Sequence, residues 1–259
     1  MGIPVPAPPT LAFVPVWRRN LRVWRKLMLP SLMGNFGEPL LYLMALGYGF
    51  GRLVGEVDGM PYPVFLASGI VCSSAMTGAS FEALYSAYTR MQMQQTWAAM
   101  MTAPLEVEDV VLGEVLWAAS KALLNSTAIL VVAALLGLVG GWTALLALPV
   151  VLLVGTCFAA MAMVVTAVAR SYDFFLYYFT LLMTPMLLLS GVFFPLESLP
   201  PAVVTAVQFL PLAHAVALIR PLMSGEWPAD VALHLAVPAA YAAAGWWAAA
   251  VLLRRRLVS

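Results

Sequence analysis

Few residues in this chain of 259 could carry catalytic chemistry, and none stands in a catalytic arrangement. A phosphate-binding loop needs a glycine-rich turn that ends in Gly-Lys followed by Ser or Thr. Neither lysine, Lys26 or Lys121, follows a glycine. His214 and His234 are too far apart for the His-Glu-x-x-His pattern of metalloproteases, and no serine lies in a Gly-x-Ser-x-Gly turn. The sequence therefore predicts a protein that is not an enzyme and has no nucleotide site of this kind.

The charges and the cysteines exclude two further kinds of site. Thirteen basic residues stand against 12 acidic ones, and the resulting net charge of +1 provides no cationic surface for nucleic acid. Cys72 and Cys157 lie in separate apolar runs, which is neither a disulfide framework nor a metal-binding pattern. We interpret both as small buried apolar residues and predict no metal site.

One carboxylate and a run of aromatic rings are candidate contacts for a substrate. Glu38 lies in an apolar stretch, and a carboxylate facing lipid is costly, so we expect it to face the protein interior or a hydrated path. Phe174, Tyr177 and Tyr178 begin another apolar stretch, and such rings can stack on sugar faces. The alternatives are a structural role for Glu38 and an interfacial aromatic belt for the rings.

The composition predicts that membrane-spanning helices position these residues. Hydrophobic residues make up 63% and charged residues 10%, against about 45–50% and about 25% in soluble domains. Each crossing needs about 20 apolar residues, and Gly140-Gly141 divides the long uncharged stretch 122–169 into two. We therefore predict an all-α integral membrane protein with one transmembrane domain over 1–259. The six predicted spans are 27–51, 62–81, 115–139, 142–169, 174–196 and 231–253.

The stretch 198–222 could be counted as a seventh span, but its prolines oppose that. Pro200-Pro201 and Pro211 divide it into pieces that are too short to cross a bilayer. We predict instead a re-entrant pair of half-helices between spans five and six, entering and leaving by the same face. Pro211, His214 and Arg220 are its candidate functional residues.

The distribution of Lys and Arg predicts the orientation. With six spans, ten basic residues lie on the side of the termini and two, Arg52 and Arg220, on the other. The ten are Arg18, Arg19, Arg22, Arg25, Lys26, Arg90, Arg170, Arg254, Arg255 and Arg256. We expect a multi-pass membrane protein with both termini in the cytoplasm.

An amphipathic helix is predicted over 10–28, ahead of the first span. Its apolar residues Phe13, Trp17, Leu21, Trp24 and Met28 recur at spacings of 4, 4, 3 and 4. Basic residues fill the intervening positions, as in helices that lie in the headgroup region. The candidate functional residues are Trp17, Arg18, Arg19 and Trp24; the helix is a membrane anchor, a docking face for a cytosolic partner, or both.

The loop between spans two and three contains a short segment, 91–105, that is rich in Met, Gln and Trp. Such a segment is an adaptable contact surface. It packs either on the rest of this chain or on an external partner, and we favour the partner because little cytoplasmic mass of this chain is available. The candidate contact residues are Gln95, Thr96, Trp97, Met100, Pro104 and Leu105.

A set of short motifs spread over nearly the whole chain resembles type-two ABC transporter permeases, and most closely the NodJ-like membrane subunits of nodulation-factor (lipo-chitooligosaccharide) exporters. The motifs that carry this resemblance are Trp17-Arg18-Arg19-Asn20, Val57-Asp58-Gly59, Phe65-Leu66-Ala67-x-Gly69, Ser74-Ala75-Met76-Thr77, Arg90-Met91-x3-Gln95-Thr96-Trp97, Asp109-Val110-Val111-Leu112-Gly113-Glu114, Ser171-Tyr172-Asp173, Thr184-Pro185-Met186, Leu210-Pro211-Leu212-Ala213-His214 and Leu218-Ile219-Arg220-Pro221.

The resemblance implies a six-span subunit that pairs as a homodimer and binds two copies of a separate ATP-hydrolysing subunit. That subunit would hold ATP and Mg, so this chain itself needs no cofactor. By the same resemblance, 91–105 is the coupling helix (hereafter the coupling segment), 10–28 is the interface helix and 198–222 caps the external end of the pathway.

The function expected from this resemblance is export of a lipo-oligosaccharide or a related amphipathic glycan. The alternative within the same class is a permease for a hydrophobic drug, an antibiotic or a polysaccharide. A third possibility, from another class, is a membrane scaffold or an ion-coupled carrier that recruits no ATPase.

Overall fold

The computed structural model describes residues 10–26, 28, 37 and 40–258 of the chain. It has the all-α membrane architecture that the composition predicts, with one small antiparallel hairpin of β1 (Glu56–Val57) and β2 (Met60–Pro61). Glu38, a candidate pathway residue, lies outside the described residues.

The helices of the described part follow each other in chain order and are numbered here for reference. They are α1 (Phe13–Arg25), α2 (Leu40–Val54), α3 (Tyr62–Met93), α4 (Thr96–Met100), α5 (Val107–Leu135), α6 (Trp142–Val168), α7 (Asp173–Leu189), α8 (Pro201–Val207), α9 (Pro211–Ser224) and α10 (Val231–Val258).

Helices α3, α5 and α6 pack on one another at the centre, α1 lies across α5, and α10 lies along α6. Small residues allow the close approach. A Cβ added to Gly155 of α6 would lie 3.1 Å from the Cα of Ala119 in α5, and one added to Gly245 of α10 would lie 3.0 Å from the carbonyl carbon of Ala160. Backbones that approach this closely gain van der Waals contact, which is the main attraction between helices in lipid.

Four of the described helices are long and apolar enough to cross a membrane: α3, α5, α6 and α10. The bent pair α8 and α9 would make a fifth crossing if it were one span. Helices α2 and α7 are apolar but shorter, and α2 is only the described part of the predicted span 27–51. The predicted count of six spans therefore remains a prediction.

Several helix boundaries differ from the predicted spans, each for a local reason. Helix α3 continues past residue 81 to Met93 through two π-helical turns. Helix α5 begins at Val107 rather than at 115, because Glu106 and Asp109 form a capping box there. It ends at Leu135 rather than at 139, two residues before Gly137, which has a positive φ of 73°. These ends depend on single capping contacts, which hydrophobicity does not indicate.

The remaining differences lie toward the C-terminus of the chain. Helix α7 ends at Leu189, seven residues before the predicted limit of 196, where Gly191 turns the chain with a φ of 76°. Helix α10 continues from 253 to Val258.

The segment predicted as two half-helices over 198–222 contains α8 and α9, which meet at an angle of 88°. Pro211 occupies the first turn of α9, where its missing N–H has no role, and Gly225 ends that helix in the left-handed conformation. The break therefore lies where the prolines predicted it. Whether the pair enters and leaves by one membrane face remains a prediction.

Candidate functional site

Four charged residues form a buried network between α3 and α5, next to the coupling segment. The Arg90 guanidinium donates from Nη2 to Glu82 Oε1 at 3.0 Å, from Nε to Glu114 Oε1 at 3.0 Å and from Nη2 to Glu114 Oε2 at 2.5 Å. Lys121 Nζ donates to Glu82 Oε2 at 2.8 Å. We call Glu82, Arg90, Glu114 and Lys121 the charged network; its two cations balance its two carboxylates.

Two tryptophans complete the hydrogen bonding of the carboxylates. Trp117 Nε1 donates to Glu82 Oε1 at 2.9 Å, and Trp97 Nε1 donates to Glu114 Oε1 at 3.1 Å. The Glu114 side chain has no exposed surface and that of Glu82 is 4% exposed. Buried ion pairs are tolerated when their remaining lone pairs are satisfied in this way. The network therefore joins α3, α5 and the coupling segment.

Trp97 is therefore not the surface contact that the sequence predicted. Its side chain is completely buried against this chain, because its indole N–H has a buried carboxylate as partner. The expectation that too little of this chain surrounds the segment for such packing is wrong for this residue.

The rest of the coupling segment is more open. Its first three residues end α3, Thr96–Met100 forms α4, and Gln95 links the two helices with a positive φ of 52°. Gln95 and Pro104 are exposed, and Thr96, Met100 and Leu105 are partly exposed. The segment thus has one anchored residue and an outer surface that a second protein could contact.

The beginning of α5 joins the two ends of the described chain. Thr10 donates to Asp109 Oδ1 from its backbone N at 2.9 Å and from its Oγ1 at 3.0 Å. Arg254, near the end of α10, donates to Glu108 Oε1 at 2.6 Å. These bonds place α1 and the end of α10 beside the coupling segment.

The predicted interface helix 10–28 corresponds to α1, which is attached to α5 through Trp17. The Trp17 indole donates to Ser120 Oγ at 3.0 Å, and Trp24 meets Trp117 edge to face with ring centroids 6.0 Å apart. Arg18 is exposed, whereas Arg19 is partly buried.

The candidate pathway aromatics do not share one environment. Phe174 and Tyr177 are exposed on α7 and form an edge-to-face pair. Tyr178, however, is only 6% exposed, so it belongs to the core and does not line an open path. The helical period explains this, because Tyr178 lies on the face of Phe175, which is also buried.

A second group of rings, three of them exposed and Phe179 partly buried, was missed as a group in the sequence. Phe81 and Tyr85 of α3 stack with centroids 5.4 Å apart, Tyr85 stacks on Tyr172 at 6.0 Å, and Phe81 meets Phe179 of α7 at 4.5 Å. We call these four residues the aromatic surface. The spacing of Phe81 and Tyr85, one helical turn apart at the end of an apolar stretch, is a signal that could have indicated it.

The candidate residues of the bent pair are held inside the bundle. The Arg220 guanidinium lies 3.5 Å from the centroid of the Phe65 ring and donates to Ser68 Oγ at 3.1 Å and to the Gly191 carbonyl at 2.6 Å. These contacts attach α9 to α3.

The Nδ1 of His214 in α9 lies 2.7 Å from the Nδ1 of His234 in α10. The other ring nitrogen, Nε2, lies 2.7 Å from the Gln208 carbonyl oxygen. This pairing could not be predicted from the sequence, because the two histidines are on different helices.

The described part of the chain is a bundle of helices, four of which are long and apolar enough to cross a membrane, as in a multi-pass membrane protein. The family model described as ABC-2 type transporter matches residues 10–223, and the chain belongs to that family as a NodJ-like permease. The family is one of transporter membrane subunits, which work with an ATP-binding subunit.

Curated relatives cover essentially the whole chain. "Nodulation protein J" of Rhizobium leguminosarum bv. viciae is 49% identical over 259 residues, which is 100% of both chains. "Nodulation protein J" of Rhizobium meliloti (strain 1021) is 47% identical over 95% of this chain and 94% of that one. More distantly, "Inner membrane transport permease YadH" of Escherichia coli (strain K12) is 26% identical over 71% of this chain and 70% of that one.

Proposed function

We propose that this chain forms the membrane pathway of an ATP-driven exporter of a lipo-oligosaccharide or a related amphipathic glycan. In this proposal two copies form a homodimer and bind two copies of the ATP-binding subunit, which hold ATP and Mg. Each copy crosses the bacterial inner membrane six times, with both termini in the cytoplasm and the bent pair α8 and α9 at the outer face.

The observation that carries the proposal is the attachment of the coupling segment to two long helices. A partner that pushed on the exposed side of α4 would displace Trp97, whose indole is bonded to Glu114 of α5. Arg90 bonds the same carboxylate from α3. A displacement of the loop would therefore reach α3 and α5 together, which is what coupling ATP hydrolysis to transport requires.

The cargo class is supported by similarity to the NodJ-like permeases and by exposed aromatic rings. A lipo-oligosaccharide has sugar faces that can stack on rings and an acyl chain that prefers an apolar surface. The aromatic surface and the exposed pair Phe174 and Tyr177 offer both kinds of contact. Since such rings equally suit hydrophobic molecules, a drug, antibiotic or polysaccharide is the second candidate cargo.

Substrate-dependent ATPase stimulation in proteoliposomes tests the proposal. The permease is reconstituted with its ATP-binding subunit, and ATP hydrolysis is measured with a lipo-chitooligosaccharide. The controls are the same chitin oligomer without its acyl chain and the free fatty acid. We expect stimulation by the intact conjugate well above that by either part.

Three other outcomes would contradict the proposal at different levels. Stimulation by hydrophobic drugs alone would favour the second candidate, and stimulation by an unacylated polysaccharide would remove the lipid requirement. Intact permease that never recruits an ATPase would support a scaffold or an ion-coupled carrier instead.

A further inference from the structure

An open cleft of about 310 Å³ lies between α1 and the facing ends of α3 and α5. It borders the coupling segment through Gln94, and it borders the aromatic surface through Thr89, whose hydroxyl lies 2.8 Å from that of Tyr172. Its lining includes three cationic residues, the carboxylate of Glu82 and the paired rings of Trp24 and Trp117. The lining residues used below are Arg19, Asn20, Trp24, Arg90, Trp117 and Lys121.

The cleft carries one positive charge that the described residues leave without an ion pair. Arg90 and Lys121 are compensated within the charged network by Glu82 and Glu114. Arg19, by contrast, forms no ion pair within 4.0 Å in the part of the chain that the structure describes. Partial burial lowers the pKa of the Arg19 guanidinium, the charge of Arg90 lowers it further, and the Glu114 carboxylate offsets these effects only in part. A bound anion would offset them further.

Asn20 adds a hydrogen-bond donor that is buried and unused. The side chain is 3% exposed. Its Oδ1 accepts from Arg19 Nη1 at 2.9 Å, which fixes the amide orientation. The amide Nδ2 then has no hydrogen-bond partner among residues 10–26, 28, 37 and 40–258. A buried amide donor without a partner costs about 1–3 kcal/mol in general, and a ligand acceptor in the cleft would remove that cost.

We propose that this cleft binds a phosphate ester that carries one negative charge, namely the headgroup phosphate of an anionic phospholipid. The Arg19 guanidinium supplies the charge and Asn20 Nδ2 supplies a directed donor. Phosphate oxygens accept several hydrogen bonds at once and pair well with guanidinium. One uncompensated cation matches the single charge of a phosphodiester.

The position of the cleft favours a lipid as the source of this phosphate. Trp24 lines it, and Val23 of the same helix is 48% exposed beside it. Tryptophan and exposed apolar residues on an amphipathic helix are typical of the headgroup region. Free phosphate would satisfy the same donors without using that apolar surface.

Lipid binding to the full-length permease, purified and delipidated in a neutral detergent, tests the proposal. Native mass spectrometry would compare dioctanoyl phosphatidylglycerol with dioctanoyl phosphatidylcholine. We expect the anionic lipid to bind about tenfold more tightly, because phosphatidylcholine brings a second, cationic group toward Arg19. Inorganic phosphate is added as a competitor in a third arm.

Three variants separate this site from general attraction to charge. Arg19→Gln removes the charge, and we expect about tenfold weaker binding of phosphatidylglycerol. Asn20→Asp keeps the shape and can pair with Arg19, so the fold should survive while binding is lost by repulsion. Arg25→Gln, at an exposed arginine on the same helix that is not among the lining residues, is the matched control and should bind like the natural chain.

Equal binding of the two lipids, or unchanged binding by both Arg19→Gln and Asn20→Asp, would overturn the proposal. An equal loss in Arg25→Gln would do the same, because it would indicate a diffuse surface effect. If millimolar inorganic phosphate displaced the lipid and bound with the same dependence on Arg19 and Asn20, the anion site would stand with free phosphate as its ligand. Melting temperatures of each variant identify any that fail to fold.

Discussion

At the end of the bundle that holds the charged network, the indole N–H of Trp97 bonds α4 to the Glu114 carboxylate of α5. Trp97 is buried, and its donor reaches Glu114, which Arg90 also holds. A residue whose type suggests a surface contact is therefore an anchor. The contribution of Trp97 to stability and its contribution to coupling can be measured separately on the same variant.

Trp97→Phe keeps an aromatic ring in the cavity but removes the N–H. We expect it to lower the free energy of unfolding by about 2 kcal/mol, because Glu114 loses one charge-assisted hydrogen bond. Trp97→Ala should cost more, about 3–5 kcal/mol, since it also leaves a cavity. Thermal unfolding in detergent measures both, with Trp227→Phe as control because Trp227 is 70% exposed.

Coupling is measured on the same Trp97→Phe variant after reconstitution. We expect ATP hydrolysis to continue while transport per ATP falls, because the loop is no longer bonded to α5. Unchanged transport per ATP in a variant with the expected loss of stability would mean that this bond has only a structural role.

Glu114→Gln tests the balance of the charged network. It leaves Arg90 and Lys121 facing one carboxylate, and breaking a buried pair costs about 3–5 kcal/mol. We therefore expect a large fall in melting temperature or poor recovery from the membrane. Glu226→Gln, at an exposed loop position, should leave both unchanged; an equal effect of the two changes would contradict the special role of the network.

At the scale of helices, the packing of α5, α6 and α10 depends on glycines, Gly155 and Gly245, at the points where the helices approach most closely. Gly155 faces the backbone of α5 at a distance that leaves no room for a branched side chain. The same arrangement of Gly245 against α6 repeats this solution. The bundle should consequently reject added volume at these two positions and tolerate it at a glycine such as Gly49, where an added Cβ would meet nothing within 4 Å among the described atoms.

Gly155→Val should destabilise the bundle by about 1–3 kcal/mol, because the helices must separate or the side chain must adopt a strained rotamer. Gly49→Val is the matched control, since a Cβ there meets nothing within 4 Å among the described atoms. Melting temperatures in one detergent measure the difference. Comparable losses in the two variants would show that helix propensity, not packing, is responsible.

The helices themselves could largely be predicted from the sequence, because apolar length and proline positions determine them. The break at Pro211 is an example. The ends could not be predicted as well, since they depend on contacts such as the Glu106–Asp109 capping box. The network was missed because its members come from different helices, although Glu82 and Arg90 are two turns apart on one face.

At the scale of the whole molecule, the assignment of sides rests on the basic residues and is open to direct measurement. The natural thiols, Cys72 and Cys157, are both buried and should not react with a bulky reagent. A cysteine introduced at an exposed position therefore shows which side of the membrane that position faces, and the natural cysteines need not be removed first.

We expect Ala98→Cys, on the coupling segment, to react with an impermeant maleimide only after cells are made permeable. Glu226→Cys, in the loop between α9 and α10, should react in intact cells. Both positions are exposed, so a difference reflects the membrane and not burial. The opposite pattern would place the coupling segment outside and remove the basis for docking an ATPase there.

The pairwise cancellation of charge among Glu82, Arg90, Glu114 and Lys121 has a consequence for how such permeases diverge. A substitution that neutralises one of these residues leaves the opposite charge buried without a partner, which is costly. Single substitutions at these positions are therefore selected against. Natural homologues should therefore change these four positions jointly, with gains and losses of charge matched within each sequence. Covariation of charge at these four positions would indicate that balance within the charged network constrains their evolution.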